Sequence, residues 1–189
     1  MVKAIIFDCF GVIVGQGFDH TYRSAGGDPA QDRHFIEDML GQANLGRISE
    51  DHFHNSMADK LGMSLEEWRD AARDAEKADT ELLDYIKNLR GTYKTAILSN
   101  ANLGVLEDEI GGRRLKDCFD AVVVSADVGM VKPDPRIYIH VADKLGVEPS
   151  ECIFIDDRQQ FVDQASQLGM QAILYDNFEQ LKSYLDKIL

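Results

Sequence analysis

The chain reads as an α/β protein, a parallel sheet covered by helices on both faces, with a helical insert behind its first strand. Three observations predict this. From about residue 79 onward, short apolar runs alternate with amphipathic stretches, the pattern of parallel strands joined by crossover helices. The first apolar run, Val2-Lys3-Ala4-Ile5-Ile6-Phe7, stands apart from the others, and the segment 15–78 behind it has a helical period. A length of 189 residues at 44% hydrophobic composition suffices for one such domain with a small insertion.

The elements follow in order. Residues 2–7 form a buried strand ending at Asp8. Residues 31–40 are predicted helical, with Phe35, Ile36, Met39 and Leu40 on one face. Ser49 caps a helix running to about Leu61, where Gly62 stops it. Ser64 and Glu67 have capping-box spacing and open a helix carrying Leu65 and Trp68. Asp79 caps a helix through Leu82, Leu83, Ile86 and Leu89, closed by Gly91. Further strands are expected at 93–98, 121–124, 152–155 and 171–174, with helices between them and a last helix at 178–188. Pro135 before 136–145, with Gly146 beyond, is the Pro-in, Gly-out signature of a helix.

The formal charge of −13 and pI near 4.7 lack the basic stripe of a nucleic-acid surface. They leave a phosphorylated substrate open, because a bound cation and one local lysine outweigh a distant field. Cys9, Cys118 and Cys152 have no metal-binding or redox spacing and read as small core residues of a reducing cytosol. No signal peptide or membrane span is read, so the expected location is the cytoplasm and no membrane partner is expected.

Four segments carry the chemistry. Asp8 ends the first strand and precedes Cys9-Phe10-Gly11-Val12; Cys152-Ile153-Phe154-Ile155 ends in Asp156-Asp157. If those strands are neighbours, three carboxylates form a cage for a divalent cation and a nucleophile. Between them stand Ala96-Ile97-Leu98-Ser99-Asn100 and Gly129-Met130-Val131-Lys132-Pro133-Asp134-Pro135. Each alone has an ordinary reading as a turn, an N-cap or a solvated loop. Together, in this order, they resemble the haloacid dehalogenase (HAD) superfamily of aspartate-nucleophile hydrolases, in its subfamily IA-like form with an Asp-Asp fourth motif and a small helical cap.

The resemblance implies a three-layer Rossmann-like core of residues 1–14 and 79–189, with strand order 5-4-1-2-3, and an α-helical cap of residues 15–78. The cap would hinge near Gly15–Gly17 and Asp79–Glu81. The ligand would lie at the strand ends where strand order reverses. Asp8 would be the nucleophile, forming an aspartyl-phosphate, and Lys132 would bridge it to the phosphoryl group. Ser99 and Asn100, with Phe10 and Gly11, would hold the substrate. Mg²⁺ would be bound by Asp8, the Phe10 carbonyl and Asp157, with Asp156 as a further ligand or an orienting partner. The expectation is a Mg²⁺-dependent phosphatase for a small phosphorylated metabolite, monomeric or homodimeric, with no nucleic-acid partner.

Two positions depart from the family pattern. Phe10 stands where phosphatases of this superfamily carry the Asp that protonates the leaving oxygen and activates water. Phe161 stands where relatives of the Asp-Asp type often have Asn. The loss at Phe10 opens two other readings: a metal-independent 2-haloacid dehalogenase-like hydrolase, or a non-catalytic phospho-ligand-binding or regulatory protein. Against the dehalogenase, the Asp156-Asp157 pair is unexplained, and no Arg follows the first motif before Arg23. Elsewhere, His52 and His54 are two apart on a helix and read as surface residues, and Trp68 reads as insert core. Gly26-Gly27-Asp28-Pro29 reads as a turn.

Overall fold

The computed structural model describes residues 1–189 except Gln16, Glu76, Asn102 and the side chain of Leu103. Gln16, inside the expected hinge at 15–17, therefore lies outside the described residues. Along the chain, β1 (Ala4–Phe7) precedes α1 (Phe18–Ser24), α2 (Arg33–Asn44), α3 (Glu50–Leu61), α4 (Leu65–Ala75) and α5 (Thr80–Leu89). Then come β2 (Lys94–Ser99), α6 (Leu103–Ile110), α7 (Gly112–Cys118), β3 (Ala121–Val124), α8 (Ser125–Val128) and α9 (Pro135–Leu145). A single 3₁₀ turn, Pro149–Glu151, leads into β4 (Cys152–Asp156), α10 (Gln159–Gln167), β5 (Gln171–Leu174) and α11 (Phe178–Ile188).

Among the described residues the five strands form one parallel sheet in the order β3-β2-β1-β4-β5, the expected 5-4-1-2-3 read from the other edge. Strand β1 is central and all four of its residues are buried, because helices cover both faces. Its alternation divides the core. Ile5 and Phe7 pack with Leu82, Leu83 and Ile86 of α5 and Leu181 and Leu185 of α11. Ala4 and Ile6 pack on the other side with Ile137, Tyr138 and Val141 of α9 and Phe161 and Ala165 of α10.

The segment between β1 and α5 has a core of its own, built on Tyr22, Ile36, Met39, Met57 and Trp68. Its two ends run side by side. Gly15 N–H donates to Lys77 O (3.1 Å), Asp79 N–H donates to Ile13 O (2.8 Å), and Val14 bridges Ala78 in antiparallel fashion. At its far end the Ser125 hydroxyl of α8 donates to the Asn44 carbonyl at the close of α2 (2.5 Å).

The capping signals take the expected forms. Ser49 Oγ accepts from His52 N–H, and Gly62 ends α3 at φ 69°. Ser64 and Glu67 exchange backbone and side-chain bonds at the start of α4, and Asp79 accepts from Glu81 and Leu82 N–H. Several boundaries differ: β1 begins at Ala4 rather than Val2, and β2 and β4 each run one residue further, to Ser99 and Asp156. Helix α2 starts two residues later than predicted, because Asp28 Oδ1 takes the N–H groups of Ala30 and Gln31 into a turn, and it runs on to Asn44. Tyr93 N–H still bonds Leu89 O, so β2 begins at Lys94. Leu89 is the last residue of α5, with Arg90 rather than Gly91 as its C-cap. All three cysteines are buried. No helix among the described residues is long and apolar enough to cross a membrane.

Candidate active site

Strand register assembles the site. Phe7 pairs with Ile155 on β4 and with Ile97 on β2, so the next residues, Asp8, Asp156 and Leu98, lie at one level at the carboxyl end of the sheet. Asp157 and Ser99 follow one step later. This is where strand order reverses, since β2 and β3 lie on one side of β1 and β4 and β5 on the other. Asp8 N–H donates to Ile155 O (2.8 Å) and fixes the exit of β1.

Lys132 reaches this point from the segment before α9. Its side chain is 1% exposed, and its Nζ lies 2.7 Å from Asp8 Oδ1 and 2.6 Å from Asp156 Oδ2. The ring of Phe161 lies 4.9 Å from the same ammonium and that of Phe154 5.6 Å. The aromatic at 161 thus offers the cation a π face, and Arg158 covers the same ring at 4.8 Å. The Asn100 carboxamide holds the backbone of Lys132 from both sides. Its Nδ2 donates to Lys132 O (3.0 Å) and its Oδ1 accepts from Lys132 N–H (2.8 Å). Asn100 is therefore occupied in fastening the lysine segment.

Asp156 is fully buried and engaged at both oxygens, through Oδ2 with Lys132 and through Oδ1 with Arg158 N–H at 2.9 Å. Its neighbour differs. Asp157 Oδ1 is buried and has no hydrogen-bond partner among the described residues. Donor atoms of Asp8, Asp156 and Asp157 lie within 4.8 Å of one another. Three carboxylates against one ammonium leave the cluster two negative charges in excess. The consequence shows in their protonation. Burial and the nearby Asp156 push Asp8 up to about 7 in spite of Lys132. Burial and Asp156 likewise push Asp157 up to about 6. The two carboxylates hold Lys132 firmly protonated against its own burial.

These residues fit a divalent cation. An orphaned carboxylate oxygen, two further carboxylates in reach and an excess of two negative charges are what oxygen-loving Mg²⁺ neutralises. Gly11 makes the room. It sits at φ +93°, and a Cβ there would stand 2.4 Å from Asp157 Oδ2.

The cluster opens into a cavity of about 470 Å³ shared by the sheet ends and the insert. Asp8, Phe10, Ser99, Asn100, Lys132 and Asp157 line its floor. Ser99 is 1% exposed at the end of β2, and Phe10 is half-buried. The opposite wall comes from the insert and includes residues with no site role in the sequence reading. His54 is not a surface residue: it is half-buried on the wall and accepts a hydrogen bond from Trp68, while His52 is exposed. The signal for it was α3's own period, since His54 lies one turn from Ala58, which is 2% exposed. Trp68 is core, as read, and also lines the cavity.

The chain is also similar to known proteins in sequence and fold. Residues 2–160 match the model of the haloacid dehalogenase-like hydrolases. A D-ribitol-5-phosphate phosphatase from Bacteroides thetaiotaomicron is 29% identical, covering 100% of this chain and 99% of that protein. A HAD-like family hydrolase from Porphyromonas gingivalis superimposes with a TM-score of 0.78 at 27% identity, covering 100% of this chain and 98% of its own. A HAD family enzyme from B. thetaiotaomicron, crystallised with magnesium and inorganic phosphate, shares the fold with a TM-score of 0.75 at 23% identity. That match covers 96% of this chain and 99% of the other.

Proposed function

This chain belongs to the haloacid dehalogenase-like hydrolases, and from that premise we propose that it is a Mg²⁺-dependent phosphatase of small phosphate monoesters, working through an aspartyl-phosphate on Asp8. The observation that carries the reading is the buried cluster at the strand ends, with Asp8 and Asp156 sharing Lys132 and Asp157 beside them with an oxygen unbonded among the described residues. The similarity to a D-ribitol-5-phosphate phosphatase over the whole chain supports a phosphorylated metabolite as the substrate.

Asp8 attacks phosphorus, the bond to the ester oxygen breaks, and the leaving group departs as an oxyanion or takes a proton from water. Water then attacks the phosphorus of the acyl phosphate, releasing inorganic phosphate and regenerating Asp8. Lys132 orients the attacking carboxylate and meets charge that develops on the phosphoryl oxygens. Asp156 positions Lys132 and shapes the turn that presents Asp157; of the two expected roles, we assign it the orienting one. Mg²⁺, held by Asp8, Asp157 and the Phe10 carbonyl, would screen the nucleophile from the phosphate's charge. Ser99 and the backbone around Phe10 and Gly11 hold phosphate oxygens. We assign residues 1–14 and 79–189 to the catalytic core and 15–78 to a cap. Its closure over the cavity excludes water, with the hydrogen-bonded segments at 13–15 and 77–79 as the neck.

A metal-independent dehalogenase has no use for Asp157, which is buried at one oxygen and unbonded there among the described residues. The test is phosphate release from p-nitrophenyl phosphate with Mg²⁺. Asp8→Asn and a chelator should each abolish it, and turnover surviving either would overturn the reading.

A further inference from the structure

The cavity has a second polar group that the mechanism above leaves unused. Glu50 and His54 lie one turn apart on α3, and both line the cavity. The indole Nε1 of Trp68, a residue 1% exposed, donates to His54 Nδ1 at 2.9 Å. An Nδ1 that accepts places the proton of the neutral ring on Nε2. Burial, the larger effect, pushes His54 below its ordinary range in spite of Glu50, so the neutral ring is the form present. His54 Nε2 lies 3.6 Å from Glu50 Oε1, beyond hydrogen-bond length. The insert thus shows the cavity an N–H donor and a carboxylate acceptor side by side. A hydroxyl group suits the pair when it bridges them from the cavity side, because its oxygen accepts from Nε2–H while its proton goes to the carboxylate. A methylene satisfies neither.

The surroundings supply the complementary apolar part. The Phe53 ring centroid is 5.5 Å from that of His54, and Phe18 packs on both Phe53 and Trp68. Such rings accept the C–H face of a hydroxylated carbon chain.

We infer that Glu50 and His54 form a specificity subsite that binds a free hydroxyl of the leaving group, so that polyol and sugar phosphates are selected over unsubstituted alkyl phosphates. This rests on the phosphatase reading and names its substrate class. Trp68 is a positioning residue that sets the imidazole tautomer.

Two measurements test it. The first is the ratio of kcat/KM for a pentitol phosphate to that for n-pentyl phosphate. Glu50→Gln and His54→Phe should each lower this ratio about tenfold, mostly through KM, as expected for loss of one good hydrogen bond. An unchanged ratio in both variants overturns the subsite. The second needs neither turnover nor a substitution on the insert. In ¹⁵N-histidine-labelled Asp8→Asn protein, the His54 ring signals should move with a pentitol phosphate and stay in place with inorganic phosphate. Equal movement with both, or none with either, overturns the proposal. If the wild-type protein releases phosphate from no ester, the phosphatase reading fails by itself, and the ring signals still decide whether His54 meets a hydroxylated ligand.

Discussion

Gly11→Ala is the substitution that most sharply separates the carboxylate cage from the fold around it. A Cβ at Gly11 would stand 2.4 Å from Asp157 Oδ2, 2.6 Å from its Cγ and 3.0 Å from Oδ1, so the whole carboxylate must turn away. The φ of +93° adds backbone strain that any L side chain meets. Gly26 has nearly the same φ, +90°, and nothing within 4 Å, so Gly26→Ala reports the strain alone. Strain of this kind costs about 1–2 kcal/mol, and each kcal/mol lowers the Tm of a domain this size by roughly 2–4 °C. Both variants should therefore melt about 2–8 °C below the parent. Gly11→Ala alone should also bind Mg²⁺ about 10–100-fold more weakly, the usual cost of disturbing the support of a metal ligand. Gly17→Ala provides the matching control, because its Cβ would make only an ordinary contact of 3.5 Å with Asp157 Oδ2 at φ +81°. Calorimetric Mg²⁺ titration of the three variants is the assay. Full Mg²⁺ affinity in Gly11→Ala, or an equal loss in Gly17→Ala, would refute the placement of Asp157 in the cation site.

Other outcomes follow from the same geometry. Lys132→Met removes the cation between Asp8 and Asp156 and should destabilise the protein by about 3–5 kcal/mol, the cost of breaking a buried pair; an unchanged denaturant midpoint would contradict this. Asp8 and Asp157 are both raised, so the fold favours their protonated forms. With a chelator present, the contribution of these two groups to stability should be intact below about pH 4 and be lost as pH rises to about 6 to 7, and Mg²⁺ should offset that loss. Melting curves that show no such pH slope, or the same slope with and without Mg²⁺, would count against the excess charge. Phe10 supplies no proton, so aryl phosphates should be cleaved much faster than alkyl phosphates in the wild type. Phe10→Asp should narrow that gap by up to ~10²–10⁴. Equal wild-type rates would mean that another group acts, and Asp19, which lines the cavity, is the next position to substitute.

Much of this was legible in the residues. Strands Ala121–Val124 and Gln171–Leu174 and helix Phe178–Ile188 begin and end where their turn and cap residues put them. The roles of Asp156 and Asp157 were harder to separate, since adjacent carboxylates look alike in a sequence. Parity distinguishes them: along β4, Ile153 and Ile155 face α5 and α11. Phe154, and with it the direction of Asp156, faces α9 and α10, the side from which Lys132 arrives. The pairing of His54 with Trp68 depends on how α3 and α4 pack, which periodicity along one helix does not encode. Helices α6 and α7 are short, and α7 opens at Gly111 with no side-chain cap, so its start comes from packing rather than from a local signal.

The central claim is that Asp8 carries the phosphoryl group. Protein quenched in acid during turnover of a phosphate ester with Mg²⁺, then reduced with borohydride, reports this directly, because an aspartyl-phosphate is reduced to homoserine. Peptide mass spectrometry should find homoserine at position 8 only when substrate and Mg²⁺ are both present. An unaltered Asp8 in protein that is releasing phosphate, or homoserine at another aspartate, would contradict the account.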